Sequence, residues 1–490
     1  MPSTNTSLDK QYIDPEKQEQ SPELLHYTDQ SSDSESNPDA YLLKEIEHEK
    51  DSQIKYRSCS WQKTAGLLFS EYICLAIMSF PWSYSILGLV PGLIITVFIS
   101  LTVAYTGCII GDYCSRYPHI QSICDIGQHL FWGKKWAWYA TAACFILNNT
   151  LIQALHVLIG AKYLNTVSHH GACTVVFAVV SAIICCIFSL PRTFSHMSFV
   201  GIFAAATMFV AVILSIVFAA IQDHPEGFDG TPVHWNLWPE KGTTYVSGMS
   251  AMLNIVYTFV GQICYPSFIS EMKNPKDFKK AIYVVTICEV LVFALAGSIV
   301  YVYAGNHYMV APAFGVLTGK YKIAAFTFAI PTIVFLGSLY SNVSSQFIFL
   351  KVFQNSKHKS QHTVKGWGFW IALNVFFWIV AFIIAEVIPF FSDLLSLMSS
   401  LFDCWFGFVF WGVAFIRLRQ DKYKGQFSNT REFWNVLKTG EKIEYIICII
   451  LILMGIYILG PGTYASVDSI VLSYQSGAYG SVFTCASNGL

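Results

Sequence analysis

Polar and apolar positions divide this chain unevenly. Residues 1–57 mix Ser, Asp, Glu, Gln and Lys with few aliphatic side chains; after them, long apolar runs alternate with short polar joints. A helix that crosses a bilayer needs about 20 mainly apolar residues. Eleven runs qualify: 64–88, 91–114, 136–162, 172–190, 196–221, 244–272, 278–304, 322–352, 367–388, 390–416 and 443–463. Those longer than the minimum fit by tilting or by a break. The pattern predicts an all-α polytopic membrane protein with eleven transmembrane helices. Its parts are a disordered cytoplasmic head (1–57), a transmembrane domain (58–463) and an extracytoplasmic tail (464–490). The head carries too little apolar surface to offset the entropy of ordering it. Its polar start has no signal-peptide pattern, so the first membrane helix is expected to direct its own insertion.

Positive residues orient the spans. With the head inside, all but four of the 30 Lys and Arg fall on inner segments; Lys162, Lys241, Lys320 and Lys322 are the outer ones. Shifting one helix would spoil that alternation. The expected topology is head inside, tail outside.

Two runs are interrupted where a membrane helix should be most regular. One contains CLAIMSFPWSY (Cys74–Tyr84), with Pro81 flanked by Ser79 and Ser83. The other contains YTFVGQICYPSFISEMKNP (Tyr257–Pro275), with Gly261 and Pro266 at mid-span and a charged end. Proline removes a backbone donor and clashes with the preceding turn. In hydrocarbon the freed carbonyls need partners, so a break persists only inside protein or beside a water-filled cavity. For Pro81 alone a simple kink is the plainer reading. Two breaks five helices apart are the spacing of an inverted-repeat transporter, whose half-helix ends face the substrate. Helix N-termini attract a carboxylate and freed carbonyls an ammonium; an amino acid zwitterion carries both.

Further motifs follow in order. They are the helix-1 text Ile77–Trp82 followed by Leu87–Gly92, then Tyr117–Pro118, Asp125–Gly127 and Leu130–Gly133. After these come PRTFSHMSF (Pro191–Phe199), ISEMKNPKDFKKA (Ile269–Ala281) and GTYASVDSI (Gly462–Ile470). From about residue 60 onward the chain thereby resembles the amino acid/auxin permeases, most closely their fungal branch of neutral amino acid permeases. The resemblance implies two inverted five-helix repeats plus an eleventh helix. It also implies amino acid uptake as symport driven by a proton gradient, with no bound cofactor. Two departures stand out. The family favours glycines seven and five residues before the helix-1 proline, where this chain has Cys74 and Ala76. Many members carry a histidine after the helix-6 glycine, where this chain has Gln262, which bonds but does not titrate.

The expected substrate contacts are backbone atoms around Cys74, Ala76 and Ile77 and around Phe259, Gly261 and Gln262. Ser79 and Thr258 are the nearby hydroxyls, although such residues also bond the previous turn. Asn149 on helix 3 and Tyr340 on helix 8 join them. Asn148, Asn149, Gln153 and His156 place four polar side chains on one membrane helix, which is costly unless they face the bundle interior. His156 reads as a neutral core histidine. The tract Ser341–Gln346 covers every face of its helix, and it lies where sodium-using relatives place hydroxyl ligands. Acids inside a membrane are functional candidates by default. Glu71, Glu289 and Asp403 are the expected proton carriers, and Glu271 with Lys273 an inner gate. No Asp or Arg is expected to face the pocket, which favours a neutral amino acid.

Composition adds limits. Hydrophobic residues make up 54% and charged residues 12% of the chain, about half the charge of a soluble protein. No basic stripe points to nucleic acid. Most of the fourteen cysteines lie in apolar runs, where they behave as small hydrophobes, and none forms a metal-ligand pattern. Cys173 and Cys485 both fall on the expected outer side, and whether they pair is open. The expected partners are neutral amino acids, protons, the bilayer and regulatory proteins at the head. The plasma membrane is the expected site, with the vacuolar membrane as alternative. A non-transporting amino acid sensor is the rival function, and an intramembrane enzyme finds no convergent nucleophiles or metal ligands.

Overall fold

The computed structural model describes residues 59–120, 122–192, 197–353, 356, 358, 362–477 and 481–490. The head expected to be disordered lies outside them. In chain order the helices are α1 (Trp61–Tyr72), α2 (Phe80–Leu87), α3 (Leu89–Arg116), α4 (Ile123–Leu130), α5 (Lys135–Ser168), α6 (Thr174–Phe188), α7 (Met197–Ile221), α8 (Tyr245–Phe259) and α9 (Tyr265–Ser270). They continue with α10 (Phe278–Tyr308), α11 (Gly319–Val352), α12 (Val364–Val387), α13 (Phe391–Met398), α14 (Phe410–Lys422), α15 (Thr430–Val436), α16 (Thr439–Tyr457) and α17 (Thr463–Gln475). The π-helical turns Ser399–Val409 and Ile458–Gly462 splice α13 to α14 and α16 to α17. A single β-bridge, Cys59 with Met272, is found among the described residues.

Among the described residues, eight helical stretches are long and apolar enough to cross a membrane. A ninth is formed if α1 and the segment Leu75–Leu87, bent by 46°, act as one. Two expected runs fall short as continuous helix. Run 172–190 becomes α6, of 15 residues, and run 244–272 becomes α8 and α9, of 15 and 6. The last run extends past its expected end at 463. Pro461 is absorbed by the π turn, and helix continues to Gln475. That extension is held by packing on α8 and α13, and by Ser469 and Ser473 donating to the buried Asp393 at 2.6 and 2.8 Å.

The interior is packed by pairs of long helices: α11 against α7 and α5, α12 against α5, and α10 against α2 and α3. The polar tracts serve this packing. Ser341 Oγ donates to Asn374 at 3.0 Å, Asn149 to Ser344 at 3.1 Å, and Ser338 to the Cys185 carbonyl at 2.9 Å. His156 bonds the Ile152 carbonyl through Nδ1 at 2.7 Å, as a core histidine does. The loop between α7 and α8 straps one end of the bundle. Leu89 and Val90 N–H donate to the Asn236 and Leu237 carbonyls. Gly88 has φ +80°, and a Cβ there would sit 2.5 Å from the Trp238 backbone; only glycine fits that joint. At the same end Cys173 and Cys485 are joined in a disulfide. Asn165 bonds Asn488 at 2.6 Å, and the Leu490 N–H donates to Thr166.

Candidate functional site

Both interruptions follow one local plan, and in neither is the proline itself the break. After α1 the chain leaves helix at Ile73 and Cys74, the latter fully extended (φ −120°, ψ 174°). A 3-10 turn, Leu75–Ser79, follows, and Pro81 lies in the first turn of α2. After α8 the chain is extended at Val260 and turns through Gly261–Cys264, and Pro266 lies in the first turn of α9. The physical reason is the missing N–H. At the first turn of a helix that donor is unneeded, and the fixed φ already suits helix. The prolines therefore start the second half-helices, and the unwinding comes before them.

The two unwound segments meet at a cavity of about 70 Å³, room for more than one water molecule. Of the residues expected at the site, Cys74, Thr258, Gly261 and Tyr340 line it, together with Glu71 and Asp403. Asp403 corrects the expectation that no aspartate faces the pocket. It sits in the π turn, where the wider helical register re-aims side chains and functional groups are common. Asp403 Oδ2 meets no hydrogen-bond geometry among the described residues, with Ser399 the hydroxyl beside it. Glu71 Oε1 accepts from Tyr340 at 3.3 Å, and Cys264 also bonds this carboxyl.

Ala76, Ile77, Ser79, Asn149, Phe259, Gln262, Glu271, Lys273 and Glu289 are not among the residues that line it. Ala76, Ile77 and Ser79 are buried, and Ser79 donates to the Ala76 carbonyl at 2.7 Å. Thr258 likewise bonds its previous turn, at the Asn254 carbonyl. Phe259 packs on Phe80 and Phe293. Gln262 donates to Thr106 on α3 at 3.0 Å, and its Oε1 has no partner among the described residues. Glu289 on α10 is 1% exposed, with Oε1 unpaired among the described residues, in electrostatic reach of Tyr72 and Tyr265. Glu271 and Lys273 join the chain's first described residue: Cys59 N–H donates to the Glu271 carbonyl and Lys273 N–H to the Cys59 carbonyl. Lys63 is the cation that acts on the Glu271 carboxylate, and no ion pair joins Glu271 to Lys273 among the described residues. This contact ties the start of α1 to the end of α9.

Sequence reasoning missed the tyrosines. Tyr72 and Tyr257 line the cavity, and Tyr72 shares a hydrogen bond of 2.5 Å with Tyr265. Position was a usable signal for two of them, since Tyr72 and Tyr265 each adjoin a break residue in sequence, while Tyr257 lies three residues before the break at Val260. In an apolar run they read as belt aromatics instead.

A many-span membrane protein whose two interrupted helices enclose a polar cavity has the architecture of a solute carrier. Residues 57–459 match the transmembrane amino acid transporter protein family, and the chain belongs to that family. Among its relatives is the N amino acid transport system protein of Neurospora crassa, 29% identical over 443 residues, covering 89% of this chain and 90% of the relative. A transmembrane transporter of Gibberella moniliformis is 29% identical over 490 residues, covering 100% of this chain and 99% of the relative.

Proposed function

We propose that this protein is a proton-coupled symporter that takes up neutral amino acids across the plasma membrane by alternating access. The observation that carries the reading is the cavity between the two unwound segments, which brings backbone groups and two carboxyls to one small space. The substrate carboxylate faces backbone amides of the two unwound segments that border the cavity, around Cys74 and Gly261, and its ammonium faces freed carbonyls and the Glu71 and Asp403 side chains. The lining has no Lys or Arg, so an acidic substrate side chain would lack a counter-charge; Ile152, Val260, Ile263 and Phe406 offer an apolar wall instead. The proton carrier is one of Glu71, Asp403 and Glu289, and the Glu271–Cys59–Lys273 contact is the inner gate. No cofactor is needed beyond the gradient.

In this reading the chain crosses eleven times, as two inverted five-helix units plus a last helix, with α6 and the pair α8–α9 each counted as a span. The shared plan of the two breaks supports the repeat, and the Lys/Arg bias supports an inner head. The Cys173–Cys485 bridge supports an outer tail, because disulfides persist in oxidising compartments. The head remains a site for regulatory partners.

The test is uptake of labelled neutral amino acids into proteoliposomes across imposed pH and sodium gradients. Glu71→Gln, Glu289→Gln and Asp403→Asn are assayed beside the unaltered protein. The expected result is accumulation driven by the pH gradient, abolished by one of the three substitutions while exchange persists. Normal accumulation in all three would contradict the carrier assignment. Binding without exchange would mean a sensor, and the full chain residing in the vacuolar membrane would move the site of action.

A further inference from the structure

A second, larger space lies away from the cavity between the breaks. It is a groove of about 900 Å³ between α3, α10, α14 and α16. Along one stretch it is apolar, and Leu101 and Ile287 on its wall are each 62% exposed. Side chains of that kind at membrane depth meet acyl chains, so the groove opens onto the bilayer. Its other end, where α3 finishes and α10 begins, is charged. Lys279 holds Asp112 at 2.7 Å, Arg116 holds Asp421 at 2.7 Å, and Arg419 holds Glu444 at 3.0 Å. One end of the groove therefore suits a headgroup and the rest suits hydrocarbon.

We propose that this groove is a binding site for one phospholipid with a zwitterionic, primary-amine headgroup, the phosphoethanolamine type. Basic pockets between membrane helices often take anionic headgroups, but here each of these bases already holds an acid. An anionic lipid would bring surplus charge to a balanced rim. A phosphoethanolamine group instead exchanges partners within the rim: its phosphate meets the Lys279 ammonium and its own ammonium meets the Asp112 carboxylate. That pair is the easiest to open, with side chains 40% and 57% exposed, because an ion pair this open to solvent is weakly held. The ammonium of ethanolamine has three N–H donors for a carboxylate, whereas a choline headgroup has none. On the orientation proposed above, the lipid belongs to the cytoplasmic leaflet.

The test is native mass spectrometry of the full-length protein in mild detergent, exchanged into phosphatidylethanolamine, phosphatidylcholine or phosphatidylglycerol of identical chains. One phosphatidylethanolamine is expected to stay bound, about tenfold better than the other two, the worth of one charge-assisted hydrogen bond. Asp112→Asn removes that preference, and Leu101→Trp, which fills the apolar stretch, lowers retention of all three. Equal or better retention of phosphatidylglycerol or phosphatidylcholine overturns the proposal, as does retention of none. Unchanged retention in Leu101→Trp overturns it too, since the lipid would then sit elsewhere. Both positions lie outside the cavity between the breaks, so failure here leaves the transport reading untouched.

Discussion

Tyr72 and Tyr265 donate and accept one hydrogen bond of 2.5 Å, and that bond joins the end of α1 to the start of α9. The two residues are 193 positions apart in sequence and flank different breaks. Each unwound segment gives up backbone bonds that a continuous helix would keep. A buried side-chain bond between the segments restores part of that order and fixes their separation, which sets the width of the cavity between them.

Removing both phenols should therefore cost less than the two single losses added together. Tyr72→Phe leaves the Tyr265 hydroxyl buried without a partner, a loss of about 1–3 kcal/mol. The double variant Tyr72→Phe/Tyr265→Phe leaves no orphan. Detergent-solubilised protein should show a lower unfolding midpoint for each single variant and a smaller loss in the double than the sum of the two. Additive losses would mean that the two tyrosines act separately.

Gly261 should tolerate no side chain. A Cβ there would lie 2.4 Å from Tyr72 Oη and 2.7 Å from its Cζ, and that ring is pinned by Tyr265. Gly261→Ala is expected to abolish amino acid uptake while the protein still reaches the membrane, seen by surface labelling beside an uptake assay. Gly248, with open space around it, supplies the control: Gly248→Ala should transport normally.

The bridge between Cys173 and Cys485 closes a loop spanning 312 positions. Cross-links of this kind stabilise mainly by restricting the unfolded chain, typically by about 2–4 kcal/mol. Cys173→Ser and Cys485→Ser should lower the unfolding midpoint equally, and the double variant no further. A reductant should lower the midpoint of the unaltered protein to the same value and leave the variants unmoved.

Much of this fold was readable from hydropathy, because a bilayer leaves the backbone few choices. Most of the apolar runs coincide with long helices, while 172–190 and 244–272 do not form one continuous helix of full length. Cys74 and Gly261 lie within the unwound segments. What hydropathy misplaced is instructive. Pro81 and Pro266 mark helix starts, so each break begins several residues earlier than the proline suggests. Pro461, by contrast, neither starts nor ends a helix, because a π turn accommodates it. The side-chain partners were not readable. Asp403 lines the cavity from a π-helical segment that hydropathy does not mark, and the Tyr72–Tyr265 pairing depends on how two distant helices meet. Nor does sequence say that Ser79 and Thr258 bond their own previous turns, since a hydroxyl near a break fits either role.

The proposed transport cycle requires an amino acid to bind in the space between the two unwound segments. Cys74 lines that space and carries a free thiol. The most direct measurement is the rate of maleimide alkylation in a variant that keeps Cys74 and the disulfide as its only cysteines. A transported neutral amino acid should slow the alkylation in step with its occupancy, and a non-transported analogue should leave the rate unchanged. An unaltered rate at saturating concentrations of a transported amino acid would contradict the claim.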